Sequence, residues 1–269
     1  MPARERPGKT HKSSPSAISI IGVLPMSVLR GKYTVLIPAA LLLAVVSLVL
    51  WHSSGDGVPA AAVPGSRRYS SVILDAGHGG ADGGTVGRSG TVEKSINLAI
   101  VLAAKDFCDY LGVDTVLTRD GDFSLGSGGT LRQQKSSDLK ERAEIVNSAG
   151  AAVLISVHQN YYDDYVSRGP QVFYNSESVS GKALAERMQA KLAAVCGGGN
   201  GRKAMALPNE NYLLAHVSCP AIIVECGFLS HLEEEMLLNS PEYRNSLAFA
   251  VAAEALDCVT SGLGFAGQS

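Results

Sequence analysis

Three short apolar runs in this chain each lead into a histidine or a glutamate. The runs cover residues 71–74, 151–157 and 221–224, and the polar residues that follow them are His78, His158 and Glu225. Runs of this length, separated by segments with helical periodicity, predict strands that alternate with helices. Because a helix between two strands lets the chain cross back over the sheet, the pattern predicts an α/β fold. Its sheet is mostly parallel and covered by helices on both faces, three layers in all.

The remaining element boundaries follow from turn and capping signals. Further strands are predicted at 113–118, 171–174 and 212–215, and helices at about 93–111 and 180–195. Asp138, with Glu141 three residues later, is the predicted cap of another helix, and Ser230 with Glu233 follows the same pattern. Ser240 before a proline predicts the start of the last helix.

The polar residues after the strands predict one shared site. In open α/β sheets, sites form outside the carboxyl ends of the strands, so His78, His158 and Glu225 are expected to meet there. Glu93 begins a predicted helix directly after the glycine-rich loop that follows His78, and this loop can fold back to the same point. Two histidines and one carboxylate suit a catalytic zinc ion with a position left for water. We therefore predict one Zn²⁺ held by His78, Glu93 and His158.

Glu225 is the predicted catalytic residue. It follows an apolar run, where an isolated charge costs free energy unless it is paired or used. Zinc lowers the pKa of water toward about 7 and polarises a carbonyl. A carboxylate beside that water is suited to accept its proton and pass it to a leaving amine. The expected chemistry is metal-assisted hydrolysis of an amide.

Each of these residues also has an ordinary structural explanation. A histidine among glycines tolerates an unusual turn conformation, and Glu93 is a favourable anion at a helix N-terminus. His158 and Glu225 can be satisfied polar residues at strand ends. Their joint placement favours a common site. Asn160, two positions after His158, is a candidate for binding substrate or for holding its loop.

Four other charged residues near these motifs have two open interpretations. Asp75 and Asp82 are candidates for supporting the first histidine or for binding loop amides. Arg119 and Arg142 are candidates for binding a substrate carboxylate, with a structural role as the alternative.

The first 68 residues differ from the rest in composition. Residues 1–32 form a basic arm with a single acidic residue, and residues 33–51 carry no charge. Such a stretch can cross a hydrocarbon core of about 30 Å. The basic flank places the N-terminus in the cytoplasm, so we expect a single-pass membrane anchor with the catalytic domain outside the cytoplasm. A cleaved signal peptide, with alanines at 60–62 as the processing site, is the alternative and makes the domain secreted.

The domain boundaries follow from these changes in composition. A low-complexity stalk at 52–68 leads to a catalytic domain at 69–262 and a short tail at 263–269. The exported part has more acidic than basic residues and no basic stripe, which argues against a nucleic-acid partner. The five cysteines show no C-x-x-C spacing and are expected as small core residues, with one disulfide left open.

The motifs resemble those of a known family. The stretches that carry the resemblance are Val72–Gly80 with Asp82, Glu93-Lys94, Ser156–Asn160 and Val224–Ser230. They resemble the zinc-dependent N-acetylmuramoyl-L-alanine amidases with an AmiC-like catalytic domain, from about Tyr69 to Val259. The resemblance implies a single α/β domain with about six strands, zinc on His78, Glu93 and His158, and Glu225 as catalytic carboxylate. The bond that the enzyme cleaves would be the amide between the lactyl group of muramic acid and L-alanine in peptidoglycan.

Within that family, the chain looks most like the spore-cortex amidases. Their members strip stem peptides so that muramic-δ-lactam can form with a partner deacetylase; whether an activating partner is needed stays open. Two other functions compete with the amidase interpretation. One is a non-catalytic wall-binding or regulatory domain with structural zinc, and the other is a zinc peptidase that cuts within the stem peptide.

Overall fold

The computed structural model describes residues 69–196, 201–207 and 211–263. The predicted basic arm, the apolar segment 33–51, the stalk and residues 264–269 of the tail lie outside these ranges. Within the described part of the chain, no helix is both long enough and apolar enough to cross a membrane.

The centre of the domain is a six-stranded sheet. Its strands are β1 (Ser71–Ala76), β2 (Thr115–Leu117), β3 (Ala152–Asn160), β4 (Gln171–Asn175), β5 (Met205–Leu207) and β6 (Ala221–Phe228). They lie in the order β2-β1-β3-β6-β4-β5. All neighbours are parallel except β4 and β6, which are antiparallel. The predicted α/β class and mostly parallel six-stranded sheet are therefore confirmed.

Helices cover both faces of this sheet. They are α1 (Glu93–Tyr110), α2 (Leu131–Ser148), α3 (Val179–Val195), α4 (Tyr212–His216), α5 (Leu232–Asn239) and α6 (Pro241–Thr260). The larger core packs α1, α3 and α6 against one face. A smaller core packs α2 and α4 against the other. Because successive residues of a strand point to opposite faces, Val72 and Leu74 of β1 join the larger core while Ile73 joins the smaller one.

Two predicted elements differ from the structure. Residues 212–215 form part of α4 and not a strand, because the Asn211 side chain caps the helix by accepting a hydrogen bond from the Leu214 amide at 3.1 Å. The sixth strand is β5 instead. Helix α2 begins before Asp138, where Thr130 and Gln133 form a capping box. Asp138 lies within α2 and accepts a hydrogen bond from the Leu125 amide at 2.8 Å.

Of the capping residues predicted for α5 and α6, one is correct and one is wrong. Ser240 caps α6 by accepting a hydrogen bond from the Tyr243 amide, as its position before Pro241 predicts. Ser230 does not cap α5; its hydroxyl accepts a hydrogen bond from the Tyr162 amide at 3.1 Å. All five cysteines are free.

The sheet order positions the functional residues. Strands β1, β3 and β6 are adjacent and parallel, so their carboxyl ends meet at one edge. Strands β3 and β6 extend further than the apolar runs, and they place His158 opposite Glu225 in register. His78 follows the end of β1 by two residues.

Candidate metal and catalytic site

The structure brings the three predicted zinc ligands together. His78, Glu93 and His158 each offer a ligand atom, and these atoms all lie within 4.8 Å of one another. Oε1 of Glu93 lies 3.3 Å from Nε2 of His78 and 3.1 Å from Nδ1 of His158. The two imidazole rings meet edge to face with their centroids 4.9 Å apart.

Two glycines let the backbone pass close to these side chains. A Cβ atom at Gly77 would lie 2.1 Å from Cε1 of the His158 ring. At Gly84, where φ is +70°, it would lie 2.5 Å from Oε2 of Glu93. No side chain fits at either position without displacing a candidate ligand. The glycine-rich sequence after β1 is therefore a requirement of the site as well as of the turn.

The carboxylate of Glu93 is fixed by backbone and side-chain donors. The Thr85 amide donates to Oε2 at 2.8 Å, and the Gln159 amide donates to Oε1 at 3.1 Å. Burial raises the pKa of Glu93, but the hydrogen bonds and charges of His158 and His78 outweigh it and hold the pKa well below its usual range. Glu93 is therefore anionic at neutral pH, as a metal ligand must be.

Asp82 orients the first histidine. Its Oδ2 lies 2.8 Å from Nδ1 of His78, while Lys135 pairs with its other oxygen at 2.7 Å. A carboxylate on the outer ring nitrogen is the usual support of a metal-binding histidine. Burial lowers the pKa of His78, but hydrogen bonds to Asp82 and Glu93 outweigh it and raise the pKa to about 9.

Glu225 lies beside the two histidines in a different environment. Its Oε2 atom is buried and has no hydrogen-bond partner among the described residues. Burial, opposed by the positive charge of His158, raises the pKa of Glu225 to about 7. A carboxyl group with this pKa can both accept and donate a proton near neutrality.

A cavity of about 360 Å³ opens in front of these groups. His78, His158 and Glu225 lie in its lining, with Asp82 and Ile223. Helix α2 contributes Lys135 and Leu139 to one wall, and Asn211 and Tyr212 at the start of α4 line another. The cavity therefore lies at the carboxyl edge of the sheet, on the face that α2 and α4 cover.

Two buried arginines hold the backbone that carries His78. Arg142 donates to the His78 carbonyl at 2.7 Å and to the Ala76 carbonyl at 2.9 Å. Arg119 donates to the Ala76 carbonyl at 2.8 Å and to the Gly77 carbonyl at 3.0 Å. Both side chains are enclosed, with 1% and 2% of Arg119 and Arg142 exposed. They have the structural role that was one of the two sequence-based interpretations.

Asp75 is the partner of one of these arginines. It forms a buried ion pair with Arg142 and accepts a hydrogen bond from the Thr118 hydroxyl at 2.6 Å. Burial raises the pKa of Asp75, but the charge of Arg142 and hydrogen bonds from Ser156 and Thr118 outweigh it and lower the pKa to about 2. Asp75 thus supports the His78 segment through Arg142.

Sequence reasoning missed two carboxylates of α5. Glu235 accepts hydrogen bonds from the Ser89 amide at 2.9 Å and the Thr91 amide at 3.2 Å, in the loop that leads to Glu93. Glu234 accepts from the Gly169 amide at 2.7 Å and the Phe228 amide at 2.8 Å. The only sequence signal was the acidic first turn of the helix, which also fits ordinary capping.

Asn160 does not line the cavity. Its Oδ1 accepts a hydrogen bond from the Tyr161 amide at 2.8 Å, and its carbonyl accepts one from the Leu229 amide at 2.9 Å. These contacts hold the chain after β3. A role in substrate binding stays a prediction.

The comparisons with known proteins agree with this site. The family model for N-acetylmuramoyl-L-alanine amidase matches residues 72–256. The chain belongs to this amidase family. The match spans β1 to most of α6, so it includes the three predicted zinc ligands, Glu225 and Asn160. The predicted enzyme class, N-acetylmuramoyl-L-alanine amidase, is confirmed.

Individual relatives of the amidase include both curated proteins and solved structures. The germination-specific N-acetylmuramoyl-L-alanine amidase of Bacillus subtilis is 31% identical over 182 residues, 67% of this chain and 76% of the relative. The amidase AmiA of Escherichia coli is 28% identical over 251 residues, 76% and 80% of the two chains. The CwlD amidase of Clostridioides difficile, solved in complex with the GerS lipoprotein, is 34% identical with a TM-score of 0.66. That match covers 69% of this chain and 95% of the other. The predicted AmiC-like, spore-cortex resemblance agrees with these relatives.

Proposed function

We propose that this amidase cleaves the bond between N-acetylmuramic acid and L-alanine with one zinc ion held by His78, Glu93 and His158. The observation that carries the proposal is the convergence of these three ligand atoms within 4.8 Å, at the mouth of a cavity. Two imidazoles and an anionic carboxylate match the donor set of catalytic zinc. Asp82 on the outer nitrogen of His78 supplies the supporting carboxylate that such sites use.

Zinc, when bound, supplies a Lewis acid that polarises the scissile carbonyl and acidifies a water molecule. Glu225 accepts a proton from the attacking water as the new C–O bond forms. It then donates this proton to the nitrogen of L-alanine as the C–N bond breaks, which releases a free amine and a lactyl carboxylate. The Oε2 atom of Glu225, which has no hydrogen-bond partner within residues 69–196, 201–207 and 211–263, and the pKa of Glu225 near neutrality support this double role.

The environment of Glu225 weighs against one competing function, and family membership weighs against the other. A non-catalytic domain with structural zinc has no use for a buried carboxyl group without a partner beside the ligands, since such a group costs stability. A peptidase within the stem peptide needs the same metal and base, so geometry alone does not separate it from an amidase. Family membership supports cleavage at the muramoyl bond.

The cellular setting is proposed from the relatives and from the N-terminal sequence. Similarity to a germination-specific amidase supports action on spore-cortex peptidoglycan. A deacetylase partner is proposed from the resemblance of the motifs to the spore-cortex amidases. The neighbour solved with a lipoprotein supports a further protein partner at the membrane. The uncharged segment 33–51 supports a membrane anchor with the catalytic domain outside the cytoplasm, or export by cleavage after that segment.

The decisive test combines metal analysis with product identification. The full chain, purified in detergent and loaded with zinc, should contain one zinc per molecule and release intact stem peptides that begin with L-alanine, as read by mass spectrometry. His78→Ala should lose both properties. His216→Ala, which removes an exposed histidine that is not one of the three ligands, should keep the zinc. Stoichiometric zinc in His78→Ala would refute the ligand assignment, and products cut inside the peptide would refute the bond assignment.

A further inference from the structure

Exposed aromatic and aliphatic side chains gather at one end of the carboxyl edge of the sheet. Tyr162 and Tyr165 are 45% and 47% exposed, and Val86 and Val166 nearby in these loops are 56% and 73% exposed. Exposed apolar groups that lie together, in contrast to scattered ones, mark sites of interaction. We call Tyr162, Tyr165 and Arg88 the tyrosine surface. We propose that it binds the glycan strand of the substrate, an inference that rests on the proposed amidase function.

The tyrosine surface lies next to the strand ends that carry the catalytic residues. Tyr162 is four residues beyond His158, and its amide donates to the Ser230 hydroxyl at 3.1 Å, just after the end of β6. The Arg88 amide donates to the Leu229 carbonyl at 3.4 Å, so the loop before Glu93 reaches the same place. The surface is therefore continuous with the end of the β3–β6 pair, three residues beyond Glu225 on β6.

The local structure holds the rings in place. Tyr165 has φ of 54°, a left-handed conformation that is uncommon for a bulky residue. The Asp164 carboxylate stabilises this turn by accepting hydrogen bonds from the Val166 amide at 3.1 Å and the Ser167 hydroxyl at 2.6 Å. The guanidinium of Arg88 lies 5.0 Å from the centroid of the Tyr165 ring. Strained residues persist where the surroundings fix them, and they cluster at ligand-binding sites.

The ring of Tyr162 packs against a buried residue of the sheet. This ring meets the buried ring of Phe228 edge to face at 5.2 Å between centroids, and the Arg202 guanidinium lies 4.6 Å from the Phe228 centroid. Phe228 is the last residue of β6, so the platform under Tyr162 belongs to the sheet itself. The exposed ring is therefore presented on a rigid element, which lowers the entropy cost of binding.

The chemistry of the tyrosine surface fits a sugar. A pyranose ring offers an apolar C–H face and a rim of hydroxyls, and tyrosine offers an apolar ring with a polar tip. The ring chemistry thus assigns the glycan to the tyrosine surface.

The experiment measures how KM depends on glycan length. Substrates are muramoyl peptides that carry one disaccharide, or three disaccharides in a row, with the same peptide. The zinc-loaded full chain should show a lower KM on the longer glycan. Tyr165→Gly removes the ring and keeps the left-handed backbone, because glycine adopts positive φ without strain. With Tyr162→Ala added, KM on the long substrate should rise roughly 10-fold, because two ring contacts are lost, and KM on the short substrate should change little.

Tyr110→Ala is the matched control, because this tyrosine is 90% exposed at the far end of α1. It should leave KM unchanged on both substrates. Peptide-free glycan strands, titrated into the unmodified protein, should also bind and should bind less well to Tyr165→Gly. The proposal would be overturned if KM of the double variant rose equally on short and long substrates. It would also be overturned if KM of the unmodified protein did not depend on glycan length, or if peptide-free glycan did not bind. Zinc content and cleavage of the short substrate report separately on the proposed function, which stands if they are retained.

Discussion

The loop that ends at Glu93 and the end of β6 each bring one glutamate to the same pair of histidines, but the two surroundings differ. Glu93 accepts hydrogen bonds from the Thr85 and Gln159 amides, so its charged form is stabilised. Glu225 has a buried oxygen atom with no hydrogen-bond partner in the part of the chain that the structure describes, and burial raises its pKa to about 7. The comparison teaches that hydrogen bonding, and not residue type, separates a metal ligand from a proton carrier.

The largest expected effect comes from removing the charged carboxylate. Glu93→Ala should lose zinc and reduce amide hydrolysis by more than the roughly 10²–10⁴-fold that a lost acid–base group causes, because the metal is lost too. Metal analysis and the rate of stem-peptide release measure both effects. Glu141→Gln, an exposed acidic residue of α2 that does not line the cavity, serves as the control. One zinc per molecule in Glu93→Ala would show that Glu93 is not a metal ligand.

Removing the proton carrier should separate activity from metal binding. Glu225→Gln should lower kcat by roughly 10²–10⁴-fold while it retains zinc, because the amide keeps the shape of the carboxyl group but cannot carry the proton. Equilibrium zinc content measures metal binding, and single-turnover cleavage of a muropeptide measures the loss of activity. Unchanged kcat would show that another group moves the proton.

The third effect concerns the segment that carries His78. Asp75→Asn should lower the free energy of unfolding by about 3–5 kcal/mol, because it leaves the buried Arg142 without its counter-charge. Urea unfolding followed by circular dichroism measures the change. The exposed pair Lys105–Asp109 provides the comparison, since Lys105→Ala should cost at most about 1 kcal/mol. Similar losses at both places would mean that the buried pair has no special role.

A smaller effect is expected from the residue that orients His78. Asp82→Asn should weaken zinc binding by roughly 10–100-fold, because a neutral amide replaces the carboxylate on Nδ1. Competition with a chelator of known affinity measures the zinc affinity of the variant and of the wild type. Equal zinc affinity in the two proteins would show that the glycine-rich loop alone fixes the ring.

The last effect is a change of stability with pH after zinc is removed. The pKa of Glu225 is raised from 4.5 in the unfolded chain to about 7 in the folded one, so between these values the folded state binds the extra proton. Stability from this group is therefore full below about pH 4.5 and falls as pH rises toward 7, by up to about 1.4 kcal/mol per pH unit. Urea unfolding at pH 5 and pH 8 should show a larger drop in the wild type than in Glu225→Gln. A larger drop in Glu225→Gln than in the wild type would show that the raised pKa belongs to a different residue.

Much of this architecture can be predicted from the sequence because it depends on local patterns. Apolar runs and helical periodicity predict the strands that hold the site and helix α1, since these follow from the spacing of side chains along one element. The motifs around His78, Glu93, His158 and Glu225 predict the family, which the matched residues 72–256 confirm. Their convergence follows from a general rule of parallel sheets, and the structure places the three ligands accordingly.

The sequence alone therefore predicts five of the six strands, the family and the identity of the candidate site residues. Tertiary contacts, by contrast, make 212–216 a helix and let Arg142, Asp75 and Glu235 hold the ligand loops. They also move the pKa values of Glu93 and Glu225 apart. These features depend on burial and on hydrogen bonds between residues far apart in the chain. Local periodicity does not predict such contacts, because it indicates only which side chains share a face of one element.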